Sequence, residues 1–387
     1  MNIMQTIPTL TVAAAVLVGT VEAREANPYL SLQLEIERAI TRGNEFLKAR
    51  QNEDGSWGDP KHPALTALTL TAAMRDPNLD PKAPRPAHLS KGYAWLMDQQ
   101  KDDGGIYGKG LASYNTSASI MALLARGREA DEPAILKARA FLINQQTDWG
   151  VKGETDNQYD GGTGYGGTYA HSDLSNTYIA LEALYHSRPI AEDSKHGKQP
   201  ELDWKAALQF VSRCQNLEET NDQEWASDNP ADKGGFVYFP GDSKAGEREL
   251  PDGRTSLRSY GSMSYAGLLS FIYADLDKDD PRMKAVLEWL GKNYTLEENP
   301  GLGPQGLFYY YHTLTKALAT AEIDQLPLQA GKAADWRRDL AKRLVSSQKP
   351  DGSWINQNSR WWENDPGLVT SYVILTLSQI HHAIPQG

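Results

Sequence analysis

Arg42-Gly43-Asn44-Glu45-Phe46-Leu47-Lys48-Ala49-Arg50-Gln51-Asn52-Glu53-Asp54-Gly55-Ser56-Trp57 runs from a helical pattern through a glutamine and a tight turn to a tryptophan, and a second helical run, Ala64 to Met74, follows. Near the other end the arrangement recurs as Gln348, Asp351-Gly352-Ser353-Trp354 and a helical run from about Leu368 to Ile380. Self-similarity of this kind indicates a repeat array, in which one supersecondary unit is stacked many times. The Asp-Gly pair permits a turn that β-branched residues would resist. The tryptophan after it can fold back over the helix pair as an apolar plug.

Between these two copies the pattern is degraded but traceable. The glutamine position recurs at Gln51, Gln100, Gln146, Gln215 and Gln348, with Tyr294 in its place in the fifth unit. The second helices start near Asn115, at Leu174, near Ser262, after Gly306 and near Leu368. Unequal spacing falls in loops, such as the glycine-rich Asp160 to Thr168 and Gly241 to Arg258, where extra length costs little closure entropy. Second helices are rich in Ala, Ser, Thr and Leu, which suits a crowded inner layer, whereas first helices carry more charge, as in Glu35-Ile36-Glu37-Arg38. Six helix pairs form either an open solenoid or a closed ring, and this division into small and charged layers favours the ring. The expectation is an all-α chain with one α/α toroid over residues 35–382, an inner and an outer helix in each of six hairpins.

At Arg42-Gly43-x-x-Phe46-Leu47-x-x-x-Gln51-x-x-x-Gly55-x-Trp57 the chain resembles the QW repeat of squalene-hopene and oxidosqualene cyclases, and Gln348-x-x-x-Gly352-x-Trp354 is a second match. Gln100-x-x-x-Gly104 and Gln146-x-x-x-Gly150 lack the tryptophan. The resemblance implies the six-hairpin α/α toroid also seen in protein prenyltransferase β subunits, with Gln51, Trp57, Gln348 and Trp354 as scaffold. The glutamine is expected to clasp outer to inner helix by bonding orphan backbone groups at the helix end.

The same resemblance directs attention to Asp173-Leu174-Ser175-Asn176-Thr177. Bacterial hopene-forming cyclases carry Asp-x-Asp-Asp-Thr at an inner-helix start, and the resemblance implies that the middle aspartic acid protonates the substrate. Here Asp173 and Thr177 match the ends, Ser175 stands at the acid position, and Asn176 replaces the last aspartate. Serine cannot supply that proton, so a cyclase-like reaction would need another acid, with Asp173, His312 and Glu363 as candidates. Asp173 can equally be an N-cap that accepts the backbone N–H at or near Asn176. The literal Asp277-Lys278-Asp279-Asp280 precedes Pro281 and reads as a solvated turn between units, with a carboxylate capping the next helix.

Ligand-facing candidates are His171, Asn176, Tyr169, Tyr309, Tyr310, Trp361 and Trp362, all at or just before inner-helix starts, where a ring exposes side chains to its bore. Aromatic rings there offer apolar area, cation tolerance and, for tyrosine, a hydroxyl for orientation. No cofactor or metal is expected. The 160–168 glycines do not lie between a strand and a helix, and Cys214, the only cysteine, belongs to an outer-helix segment rather than a rim.

Composition bounds the partners. The chain has 387 residues, 40% of them hydrophobic, and a formal net charge of -11. That balance builds a core and argues against nucleic acid or an anionic membrane surface as the main partner, with peripheral membrane contact kept as an alternative. The expected ligand is an apolar or amphipathic small molecule, a terpenoid among them. Ile7 to Thr20 is apolar and small-residue rich, and residues 1–23 read as a signal peptide of an exported, periplasmic protein. Three functions fit: a terpene-cyclase-like protein acting on or binding an isoprenoid, a non-catalytic ligand-binding or interaction domain, and a carbohydrate lyase or hydrolase. The last needs a carboxylate pair across the cavity.

Overall fold

The computed structural model describes residues 29–80, 82–166 and 171–384; the expected signal peptide and Tyr169 lie outside them. Twelve α-helices occur among the described residues: α1 (Leu30–Ala49), α2 (Pro63–Met74), α3 (Ala87–Met97), α4 (Ala112–Arg126), α5 (Glu132–Ile143), α6 (Leu174–Glu192), α7 (Trp204–Ser212), α8 (Gly261–Tyr273), α9 (Pro281–Asn293), α10 (Leu307–Thr320), α11 (Trp336–Ser346) and α12 (Pro366–Ala383). Each even-numbered helix packs on the next even-numbered one, and α12 returns to α2, so the inner layer closes. Odd-numbered helices lie outside it. The fold is an all-α, single α/α toroid.

Burial explains which helices go where. Helix α8 is buried at every position except Ile272, as an inner helix with neighbours on all sides must be. Helix α11 buries Trp336, Leu340, Ala341 and Leu344, one stripe spaced by about a helical turn, and leaves Arg338, Asp339 and Lys342 exposed. Hydroxyls survive in the inner layer because they bond back to the preceding turn: Ser117 to the Ser113 carbonyl at 2.8 Å, Ser119 to Asn115 at 2.7 Å, and Ser270 to Ala266 at 2.8 Å. Helix α6 continues through Pro189. The proline sits in the final turns, where the missing N–H disturbs little.

The glutamine clasp differs from the expectation. Gln51 Nε2 donates to the carbonyl of Gly55 in its own turn at 2.9 Å and to His88, at the start of the next outer helix, at 2.8 Å. Gln100 does the same to Gly104 and Ala134, both at 2.9 Å, and Gln215 to Gly234 and Arg282, both at 3.0 Å. The clasp therefore joins successive outer helices rather than the two helices of one hairpin. Gln348 donates to Gly352 and to Ala39 of α1, both at 2.9 Å, and so closes the ring. The third unit also departs from the sequence alignment. Gln146 pairs with Gly161 at 3.0 Å, not with Gly150, because an inserted loop displaces the turn.

Glycine is required at these turns. At Gly352, with φ +89°, an added Cβ would lie 2.5 Å from the Arg42 carbonyl, and at Gly104, with φ +91°, 2.4 Å from that of Lys137. Both tryptophans are scaffold: Trp57 is 4% and Trp354 1% exposed, and their Nε1 groups donate to Leu47 and Leu344.

A second clasp joins each turn to its own inner helix. The backbone N–H of Trp57, Ile106, Thr163, Phe236 and Trp354 donates to the hydroxyl of Thr66, Thr116, Thr177, Ser264 and Thr370 respectively, at 2.9 to 3.1 Å. Two small antiparallel ribbons decorate the loops: β1 (Glu247–Glu249) with β2 (Thr255–Leu257), and β3 (Leu326–Pro327) with β4 (Ala333–Ala334). The Asp277–Asp280 segment is a turn between α8 and α9, and Asp280 caps α9 by accepting the Arg282 N–H at 2.9 Å. Cys214 is fully buried.

Candidate active site

The hydroxyl clasp sets the register of the inner helices, and the register sets the site. Two residues before each clasping hydroxyl stand Ala64, Tyr114, Ser175, Ser262 and Leu368, and all five line one cavity of about 430 Å³ at the N-terminal end of the inner ring. That volume lies within the usual range for small-molecule pockets. Leu65, Leu68, Leu111 and Met263 add apolar wall.

The rest of the wall is largely tyrosine, and the hydroxyls satisfy one another. Tyr165 and Tyr238 share a hydrogen bond of 2.8 Å, Tyr114 and Tyr372 one of 3.1 Å across the floor, and Ser175 and Tyr309 one of 3.1 Å. Burial raises the phenol of Tyr309 far above its ordinary range, so it stays neutral. With the polar tips engaged, the cavity presents aromatic faces, which attract cations through their quadrupole.

One carboxyl group lines this cavity among the described residues, that of Glu363. It is 1% exposed. Its Oε1 accepts the N–H of Tyr309 at 2.7 Å and its Oε2 accepts Asn356 Nδ2 at 2.6 Å, with the N–H groups of Leu307 and Phe308 adding to the same cap. Burial pushes the carboxyl up, while the N–H donors pull the other way. Glu363 thus sits at the N-terminus of α10, where the helix dipole favours a negative charge.

The mouth is formed by the turn just before Glu363. Trp361 and Trp362 are 42% and 48% exposed and adopt left-handed backbone conformations, φ 53° and 63°. Bulky residues rarely hold that conformation, and strain of this type collects at ligand-binding sites. Trp361 lies against Gly306, where an added Cβ would come within 3.0 Å of its ring, and the Arg360 guanidinium covers its other side at 5.1 Å. Trp362 packs on His62 with ring centres 4.8 Å apart.

The structure distributes the sequence candidates unevenly. Tyr309, Trp361, Trp362 and Glu363 meet at the cavity. Asp173 does not line it. It is fully buried behind the wall, caps α6 by accepting the Asn176 N–H at 2.8 Å, and takes Asn176 Nδ2 on its second oxygen at 2.8 Å. Asn176 is thereby committed to Asp173 and also lies off the cavity. Burial pushes the Asp173 carboxyl up to about 6. His171 joins an aromatic cluster on the rim, 4.4 Å from Phe239 and 5.5 Å from Tyr159. Tyr310 points into the core, packs on Tyr265 and donates to the Thr295 carbonyl at 2.8 Å. His312 lies one turn below the floor. Ser175 faces the cavity and carries no carboxylate there. Tyr114, Tyr238, Tyr372, Arg360 and His62 were not picked out from sequence; the clasp register would have found Tyr114 directly.

No protein-family profile matches the chain. Drimenyl diphosphate synthase from Streptomyces showdoensis is 38% identical over 72 residues, which is 18% of this chain and only 13% of that protein. Among solved structures, the type II terpene cyclase MstE from Scytonema in complex with its product merosterolic acid A superposes with a TM-score of 0.52 at 13% identity, over 91% of this chain and 99% of that one. The same cyclase with its substrate geranylgeranyl dihydroxybenzoate gives the same TM-score, identity and coverage. At such identity the likeness establishes the fold. The chain shares with these terpene cyclases the fold, a single α/α toroid. Among its described residues no helix is long and apolar enough to cross a membrane.

Proposed function

We propose that this protein takes an apolar isoprenoid into the 430 Å³ cavity and cyclises it, with Glu363 as the acid. The observation that carries the reading is a buried carboxyl group at the wall of an aromatic, largely apolar cavity. The O–H proton of Glu363 would pass to an alkene carbon, the π pair forming the new C–H bond and leaving a carbocation. A second alkene would then attack that cation to form a C–C bond, and loss of a proton to water or to a base would end the sequence with no change in composition. Burial raises the affinity of Glu363 for its proton, and the N–H donors of Asn356 and Tyr309, which oppose that rise, stabilise the carboxylate left afterwards. The tyrosine faces and Trp361 stabilise the cation. Prenylated aromatics of the kind bound by MstE supply the substrate class to try first. Export of the chain, read from residues 1–23, belongs to the same proposal and is checked by fractionation.

The test is incubation of the purified protein with geranylgeraniol and with a geranylgeranylated dihydroxybenzoate, followed by mass spectrometry for a cyclised isomer. Glu363→Gln should keep ligand affinity and lose at least about 10²-fold in turnover, the usual lower scale for a general acid. Unchanged turnover in that variant removes Glu363 from the role. Absence of both binding and product in the natural protein sinks the whole reading. A second reading, binding without turnover, draws on the full engagement of both Glu363 oxygens as a helix cap. It predicts a bound isoprenoid and no product.

A further inference from the structure

The bore does not end at the tyrosine floor. Below Tyr114 and Tyr372 a second chamber of about 40 Å³ opens, bounded by Thr71, Arg75, Glu182, His312 and Lys316. A single water needs roughly 10–15 Å³ by this measure, so the chamber holds a few waters or one small ion.

Its charges do not balance. Lys316 Nζ contacts both oxygens of Glu182 at 2.6 Å, with the two side chains 13% and 4% exposed, so that pair is close to neutral as a unit. Arg75 forms no ion pair and no side-chain hydrogen bond with any described residue, which leaves one guanidinium charge uncompensated at the chamber wall. Helix α2 ends at Met74, and its terminal carbonyls offset roughly half an elementary charge. The surplus therefore survives.

A second, independent feature belongs to the same wall. His312 is 4% exposed and its Nδ1 has no hydrogen-bond partner. Buried polar atoms left unpaired are rare and costly. The Tyr372 ring stacks on the imidazole at 5.3 Å and 26°, which fixes its orientation. Burial, then Lys316 and Arg75, push the imidazole well below its ordinary range, so it is neutral and carries one ring N–H.

We propose that the lower chamber is a binding site for a small monovalent anion, held by the charge of Arg75 and by the imidazole N–H of His312. The anion is either a free halide or the carboxylate end of a ligand threaded past the Tyr114–Tyr372 pair. The site stands whether or not the cavity above turns over an isoprenoid.

Crystals of the full chain soaked in sodium bromide should show an anomalous peak between Arg75 and His312. In solution, bromide should raise the melting temperature more than the same ionic strength of a large, excluded anion. Arg75→Gln should weaken bromide binding at least about tenfold, the scale of one lost charge-assisted hydrogen bond. Arg75→Lys should recover part of that loss. Circular dichroism confirms that each variant is folded. Displacement separates the two sources: acetate and dodecanoate equally effective assigns a free anion, whereas dodecanoate acting at far lower concentration assigns a ligand's carboxylate. No bromide in the chamber of the natural protein, or unchanged affinity in folded Arg75→Gln, overturns the site.

Discussion

Replacing Asp173 by Asn changes how stability depends on pH, and the size of the change follows from burial. Asp173 is fully buried, and its carboxyl is pushed from 3.8 up to about 6, with burial the largest cause and the Asn176 donors opposing it. In the unfolded chain the group loses its proton near 3.8; in the folded chain it keeps it to about 6. Between those values the unfolded state binds fewer protons, so stability falls as pH rises. A gap of about 2 pH units, at about 1.4 kcal/mol each, amounts to roughly 3 kcal/mol of stability that is present below about pH 4 and lost by about pH 7. Asn caps helices as well as Asp and does not titrate. The stability of the natural protein relative to Asp173→Asn should therefore drop by roughly 3 kcal/mol between pH 4 and pH 7. Urea unfolding of both proteins at pH 4, 5, 6 and 7, followed by circular dichroism, measures it. Taking the difference between the two removes the shared contribution of the other carboxylates. Parallel curves across that range would refute the burial argument. Because Asp173 is behind the wall, ligand affinity at pH 5 should differ little between the two proteins, and a loss of tenfold or more would return it to the binding site.

The remaining expectations concern the clasps and the mouth. Gln348→Ala removes two hydrogen bonds, to Ala39 and Gly352, and should cost about 2 kcal/mol; unlike Gln100→Ala it should also speed hydrogen exchange in α1, because this clasp closes the ring. Gly352→Ala places a Cβ 2.5 Å from the Arg42 carbonyl and should destabilise by several kcal/mol, whereas Gly153→Ala, with φ +83° and nothing within 4 Å, should cost about 1–2 kcal/mol; thermal melts compare them. Trp362→Gly relieves a left-handed backbone at φ 63° and should gain about 1 kcal/mol in stability while weakening isoprenoid binding about tenfold by calorimetry.

Most of the architecture was legible because the repeat carries its own punctuation. Inner helices expected near Asn115, Ser262 and Leu368 begin at Ala112, Gly261 and Pro366. What was not legible is contact between units. The second acceptor of Gln51 is His88, and that of Gln348 is Ala39, at the other end of the chain, so no local reading reaches them. Gly161 escaped as the turn glycine of the third unit because an insertion put Gly150 at the expected spacing. At the site, Tyr309, Trp361, Trp362 and Glu363 were found as clusters at inner-helix starts. Tyr310 was included with them although successive helical residues point about 100° apart, and it proves to be core.

The string Asp173 to Thr177 shows how a resemblance divides. Thr177 accepts the Thr163 N–H at 2.9 Å, the same bond that Thr66, Thr116, Ser264 and Thr370 make in four other units. It is therefore explained by the repeat, and its presence says nothing about an acid. Asp173 is explained by the cap it makes for α6. The two matching ends of the string thus both have structural reasons in this chain. The information about chemistry lies between them, at Ser175, which faces the cavity and bonds Tyr309. There the chain differs, and a cyclase-like reaction has to draw its proton from elsewhere on the same wall. Glu363 is the carboxyl on that wall among the described residues, and the proposed function draws the proton from it.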